Sequence, residues 1–301
     1  MPISSNVPDF LVVGARAGFL EAMPKYQLPW QQFTSIFQLD HLTLTLVDLG
    51  FAPMPTEQVG RPGIYDFIER TVQVKPRDWN TTVGISQNAV DDDQTGTLDS
   101  KVRSAAERFP QHMNNLAFDA LHQGNLTTSA YGLCYDGLAM FSASHVDKGA
   151  KYTTAQSNTN SYSALTVQNF ALVRAAALAY KDDQGEPTYY NPNLLLVDPT
   201  NEYGAAQVCS NNTTAGTANR EMNPYDGKNS YAISPKLSGG EIYYVGAGES
   251  VKPVVLVMRK QPYLQDAWFD PLAPDGGMYY FKFFARYWLC YGDWRLATKM
   301  Y

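Results

Sequence analysis

The chain has 301 residues, 45% of them hydrophobic and only 17% charged, with a net charge of −6. That length suffices for one large domain or two of ~150 residues, with room for a sizeable core. The acidic balance and the lack of a Lys/Arg-rich tract exclude a general electrostatic drive toward nucleic acid or an anionic membrane, and no run approaches the ~20 apolar residues of a membrane span.

In chain order, residues 1–55 read as an arm. Pro2, Pro8, Pro24, Pro29, Pro53 and Pro55 interrupt short apolar pieces. A short helix over 14–23 and a strand over 41–49 fit the patterning, but a compact fold is not expected, and the subunit's own core should not need this segment. An extended hairpin follows. Its arms are 64–75 and 79–90, and Lys75-Pro76-Arg77-Asp78 turns the chain between them, proline presetting the first central position. A lone hairpin with ~10-residue arms has too little core to hold itself in water, which predicts an arm that packs on a neighbouring molecule. Pro76 and Asp78 suffice for the turn, so Lys75 and Arg77 are candidates for contact with acidic groups of an adjacent copy. Asp91, Asp92 and Asp93, or the loop around Asp182 and Asp183, are the candidate partners.

From Leu98 the period changes from two to near 3.6. Leu98, Val102, Ala105, Phe109, Met113, Leu116, Ala120 and Leu121 form one apolar stripe, and Gly124 is a natural stop. The resulting helix of ~26 residues is ~39 Å long, and Pro110 should kink or split it. A second region spans 129–271. It holds a turn at Tyr135-Asp136-Gly137, a polar surface loop over 146–163, and a helix capped by Thr166 that runs to about Tyr180. Leu194 to Val197 reads as a buried strand, and Asp198-Pro199 starts another helix. Further strand candidates are 231–233, 241–245 and 254–258, with a polar loop over 211–223. Met278 to Tyr291 is a strand dense in aromatics that needs packing on both faces, for which the long helix is the obvious partner. Residues 56–128 and 272–301 thus read as one discontinuous unit, with 129–271 inserted.

The search for chemistry comes up thin. Gly246-Ala247-Gly248-Glu249-Ser250-Val251 lacks the third glycine of a dinucleotide site. Asp91 to Gly96 begins like a calcium loop, but Val102 stands where a bidentate Glu is required, so an acidic turn before a helix N-terminus is the better reading. His145 and Asp147 could form half of a metal site or a catalytic dyad, and a polar loop histidine is the default. Cys134, Cys209 and Cys290 match no zinc or redox spacing and read as plain buried thiols in a reducing interior. No catalytic, cofactor-binding or metal-binding residue is assigned, and no cofactor is called for. The 20 Tyr, 14 Phe and 5 Trp suit either a β-rich core or a surface covered by contacts.

Several strings, in order, resemble the major head subunit of Mu-like tailed bacteriophages. These are Thr82-Val83-Gly84-Ile85 with Val90-Asp91-Asp92-Asp93 and Gly96; Arg108-Phe109-Pro110 in the long helix; Cys134-Tyr135-Asp136-Gly137 with Met140-Phe141 and His145; and Asn223-Pro224, Ser234-Pro235-Lys236-Leu237, Pro253, and Tyr291-Gly292 through Leu296. The resemblance covers about Ala17 to Tyr301. It departs at Ser142-Ala143-Ser144, where the family tends to carry an acidic residue. It implies an α+β chain with the Hong Kong 97-type phage capsid fold: an N-terminal arm (1–55), an extended loop (56–93), a spine-helix peripheral domain (94–128 with 272–301) and an inserted axial domain (129–271). It further implies a major capsid protein that assembles into hexamers and pentamers of an icosahedral head around double-stranded DNA, without catalytic residues. Its partners would be copies of itself, with scaffold, portal and decoration proteins as separate chains; packaged DNA would be contacted only non-specifically, and no membrane is involved. Such a chain would assemble in the host cytoplasm and reside in the virion. The alternatives are another virion component, such as a tail or adaptor protein, or a small hydrolase using Cys134 or His145.

Overall fold

A computed structural model describes the chain except residues 1–6, 23–27, 49–50, 53–54, 56, 58–68, 93–96, 148, 163, 211–221, 248–251, 274–276 and 301. The first arm of the expected hairpin below residue 69, most of the polar loop over 211–223 and the segment Gly248 to Val251 lie outside the described residues.

The N-terminal segment is not a loose arm. Leu11, Val12, Ala15 and Phe19 recur at helical spacing, and α1 (Asp9–Ala22) buries all four against the rest of the chain. Phe19 stacks on Phe283 with ring centres 4.5 Å apart and meets Phe109 edge-on at 6.0 Å. The short α2 (Trp30–Phe33) buries Trp30 and Phe33, and β1 (Thr34–Gln38) pairs in parallel with a later strand. The prolines delimit these pieces rather than prevent their packing. The expectation that the subunit's core can do without residues 1–55 is therefore corrected.

The hairpin is also differently built. β2 (Leu44–Asp48) and β3 (Arg70–Val74) pair antiparallel as a separate two-stranded sheet, from Leu44 opposite Val74 to Asp48 opposite Arg70. β4 (Arg77–Ser86) joins another sheet. Lys75-Pro76 therefore carries the chain from one sheet to the next instead of closing a hairpin. Ser86 then caps α3 (Gln87–Asp91), its hydroxyl accepting from the Ala89 N–H.

α4 (Thr97–His122) has the 26 residues expected and runs unbroken across Pro110. Val102, Ala105, Ala106, Phe109, Met113, Ala117, Phe118, Ala120 and Leu121 are buried along it, and this continuous apolar face outweighs the hydrogen bond that Pro110 removes.

The remaining elements are β5 (Thr159–Asn160), α5 (Val167–Leu178), β6 (Leu194–Val197), α6 (Glu202–Cys209), β7 (Ser230–Ile233), β8 (Ile242–Val245), β9 (Val254–Asp270), β10 (Met278–Tyr291) and β11 (Ala297–Met300). Thr166 caps α5 as expected, accepting from the Asn169 N–H. β10 has the bounds that its aromatic alternation predicts, and it packs between β9 and β4 in the order β1-β9-β10-β4. β9 continues 12 residues past Met258, where the apolar run ends, because pairing with β10 carries its polar second half. The second sheet has the order β5-β11-β8-β6-β7. Its member β11 comes from the C-terminus, so residues 297–300 lie in the sheet of the inserted region rather than with β10. Asn158 locks that junction, donating to the carbonyls of Met140, Trp294 and Ala297 while accepting from the Ser142 N–H. The stretch 146–163 is thus tied into the core at Asp147 and Asn158, not a free surface loop.

Candidate functional site: the hairpin and its anchorage

Leu44, Leu46 and Val72 turn one face of the β2–β3 hairpin toward the core, while Val47 on the other face is 51% exposed. On β1, an edge strand of the four-stranded sheet, Ile36 and Phe37 are also exposed. Between hairpin and body runs a groove of about 440 Å³ lined by Phe37, Leu46, Phe51, Tyr190 and Arg295 among others.

A buried ionic network lies along this groove. The Arg70 guanidinium stands 3.4 Å from an Asp183 oxygen and 3.8 Å from Asp147, with Tyr135 beneath it at 5.4 Å. Asp183 also accepts the Phe51 N–H at 3.2 Å. Arg295 pairs with the same Asp147 oxygen and with Asp293 at 3.3 Å, and donates to the Lys181 carbonyl at 2.9 Å and to the Tyr135 hydroxyl. Asp182 accepts the backbone N–H groups of Gln184 and Glu186. Asp182 and Asp183 are therefore engaged within their own subunit. Their candidacy as docking partners is corrected: buried acids need compensation on the spot, and they have it. Sequence reasoning missed Arg70 and Arg295. The signal for the second was a lone cation set between Trp294 and Leu296 in an apolar stretch.

Lys75 and Arg77 sit where the chain crosses between sheets. Lys75 is exposed, and Arg77 lies 3.6 Å above the Trp288 ring of its own subunit, on which Tyr131 also stacks with ring centres 5.2 Å apart. Asp91 and Asp92 are exposed beyond the far end of β4, and Asp93 lies outside the described residues. Ten strand residues at ~3.3 Å each separate the two groups, so a subunit does not bring its own basic and acidic candidates together.

Three of the four histidines make structural contacts. His145 is fully buried, not a polar loop residue. Its Nδ1 is 2.5 Å from Asp136, and its ring stacks on Trp294 at 4.2 Å. Asp147 turns away to the two arginines, so no His145–Asp147 pair forms. His112 bonds the Tyr287 hydroxyl at 2.7 Å, and burial holds its pKa below the ordinary value. His122 meets Glu241 at 2.7 Å, where Lys299 also binds at 2.8 Å; burial works against the Glu241 charge, but these two partners outweigh it and lower its pKa. Burial pushes the thiols of Cys134, Cys209 and Cys290 up, the last two to about 12, which keeps them protonated and unreactive. Among the described residues, no group of three or more His, Cys, Asp or Glu is arranged to hold a metal ion, and no helix is long and apolar enough to cross a membrane.

Comparison with known proteins adds the following. Curated protein sequences give no match. The sequence model of the family described as Mu-like prophage major head subunit gpT matches residues 9–164 and 148–237. Among solved structures, the procapsid of bacteriophage JBD30 is similar with a TM-score of 0.56 at 17% identity, covering 97% of this chain and 73% of that one. The JBD30 capsid gives 0.55 at 19% identity, with 78% and 100% covered. The SrpI encapsulin of Synechococcus elongatus PCC 7942 gives 0.55 at 11% identity, with 92% and 88% covered. The Hong Kong 97-type fold is thus shared by shells of different kinds, and at such identities it does not choose between them. The sequence family does, since its match spans more than half of the chain: this protein belongs to the Mu-like prophage major head subunit family and is a major capsid protein.

Proposed function

We propose that copies of this chain assemble into the hexamers and pentamers of a closed icosahedral shell around double-stranded DNA, with no catalytic step. The observation that carries this reading is the β2–β3 hairpin, which among the described residues pairs with no third strand and leaves Val47 exposed. A two-stranded sheet is marginal alone, and a neighbouring copy supplies the missing cover. The extended loop is then the hairpin together with the residues between its strands, β1 and α1 belong with the spine-helix domain, and the inserted region faces the centre of the capsomer. Symmetry repeats each modest interface at every subunit, so small contact energies add up. One such contact pairs Lys75 and Arg77 of one copy with the acidic run at Asp91, Asp92 and Asp93 of another. Scaffold, portal and decoration proteins act as separate partners, and DNA is contacted only non-specifically by so acidic a chain. Assembly takes place in the host cytoplasm, and the product is part of the virion. Sedimentation velocity and negative-stain imaging of the purified chain test this. Closed particles built of capsomers are expected. A small oligomer under all conditions overturns the reading, and rings or tubes assign the chain to another virion role.

A further inference from the structure

The hairpin's direction has two supports. At its inner end the chain continues from Val74 through Lys75-Pro76 into β4. At its outer end, where Asp48 faces Arg70, no third strand pairs with it among the described residues. At that outer end Arg70 enters the protein, with its side chain 5% exposed, and reaches Asp183 and Asp147 of the inserted region. Phe51, on the other side of the loop, donates its N–H to the same Asp183 carboxylate and stands near Tyr190, with ring centres 6.4 Å apart. One carboxylate therefore ties both outgoing and returning chain to the inserted region. The ends of the loop are fixed there, in addition to the packing of Leu44, Leu46 and Val72 on the core.

We infer that the Arg70–Asp183 pair, steadied by Asp147, is a latch that sets the angle at which the loop of one subunit reaches the next, and so the curvature of the shell. This rests on the shell reading above. Arg70 and Asp183 are positioning residues: both side chains are buried within their own subunit, and they act by directing the hairpin. A buried pair is a poor source of net stability, because desolvation consumes most of the attraction, and its better-attested use is to select one geometry. A two-point tie whose second point is ionic fits that use. It holds one angle while the charges stay paired and frees the hairpin when they separate.

The test is the double variant Arg70→Met with Asp183→Asn, which removes both charges together and keeps an Oδ1 acceptor for the Phe51 N–H. Amide hydrogen exchange is measured on the unassembled subunit, and particle diameters are measured by electron microscopy. Exchange at Phe51 and across Arg70–Val74 should rise at least tenfold while β9 and β10 stay protected, and the diameter distribution should broaden from one size to several. Unchanged exchange overturns the latch. A wild-type size distribution despite faster exchange overturns its role in curvature. Should the double variant fail to fold, Asp183→Asn alone is read in the same way. If the wild-type chain forms no particles, the shell reading fails, and exchange at Phe51 still decides whether the latch exists.

Discussion

Phe19→Ala measures whether the N-terminal helix is part of the subunit. Phe19 is 1% exposed, stacked on Phe283 of β10 and edge-on to Phe109 of α4, so it joins three elements. Truncating such a ring removes its burial and leaves a cavity that neither the sheet nor the helix can close, at a cost of about 3–5 kcal/mol. Over a chain of this length that corresponds to a fall in melting temperature of about 5–8 °C if unfolding is one cooperative transition. Leu20→Ala is the control: the next residue on α1 points outward with 59% exposure, and its loss should stay within ~0.5 kcal/mol. Both variants are compared with wild type by guanidinium unfolding of the unassembled subunit, followed by circular dichroism and tryptophan fluorescence. Equal midpoints for Phe19→Ala and Leu20→Ala would show that α1 is not docked in solution, and the placement of residues 9–22 in the core would be refuted.

Three further outcomes follow from the same structure. Met113→Asp should leave little soluble protein, because it gives up a buried side chain (about 2–5 kcal/mol) and strands a carboxylate in the α4 stripe for several kcal/mol more; Glu107→Lys, off that stripe, should melt near wild type, and equal melting of the two would show the helix register to be wrong. Lys75→Glu should leave subunit melting unchanged while particle yield falls most at low salt, whereas Arg77→Glu should also lower stability by ~0.5–2 kcal/mol through its stack on Trp288; unchanged yield at low salt would show that neither side chain docks on a neighbouring copy. Burial raises Cys209 and Cys290 from 9.0 to about 12 and Tyr180 and Tyr244 from 10.0 to about 12, so the stability these groups contribute is complete below about pH 9 and is lost as pH climbs toward 12. Alkaline unfolding should start in that window, and Ellman's reagent at pH 8 should find no reactive thiol until denaturant is added; fast native labelling would contradict the burial.

Where one local pattern decided an element, the sequence was enough. The steps of three and four from Val102 to Leu121 place α4, the aromatic alternation of 278–291 places β10, and Thr166 caps α5 through its own hydroxyl; the cap at Ser86 was missed, since residues 79–90 read as one strand arm. Partnership between distant segments was not legible. The proline in Lys75-Pro76 is a true turn signal, but local chemistry cannot say whether a turn returns the chain to its own strand or hands it to another sheet; the pairing of Asp48 with Arg70 and of Ser86 with Met278 decides that, across gaps of 22 and 192 residues. Asp182-Asp183 looks like a surface turn because acidic residues usually need water, and the partners that make their burial tolerable include Phe51 and Arg70, more than a hundred residues earlier, on Asp183. The N-terminal segment shows the reverse fault: the sequence predicts a short helix over 14–23 and α1 bears most of it out, but the prolines on either side hide that Leu11, Val12, Ala15 and Phe19 dock it in the core.

The division between packed body and tied hairpin bears on how such a subunit works. The segments read correctly, α4 and β10, form the body that each copy brings already built. Those read incorrectly, the hairpin and its ionic tie, are held by pairings that a single sequence does not display. They lie where the chain leaves the body, with exposed Val47 on one face and buried Arg70 at the outer end. A shell subunit needs this division. On the proposed shell reading, its core must be stable alone, since many identical copies have to fold before they meet, whereas the hairpin needs only a defined direction until a neighbour covers it. Apolar packing serves the first need, because it is strong and non-directional. A buried charge pair serves the second, because it adds little to stability yet tolerates few geometries. Folding and reach thus rest on different interactions, so variants of the Arg70–Asp183 pair should change the shell while sparing the subunit, and variants of the α4 stripe should destroy both together.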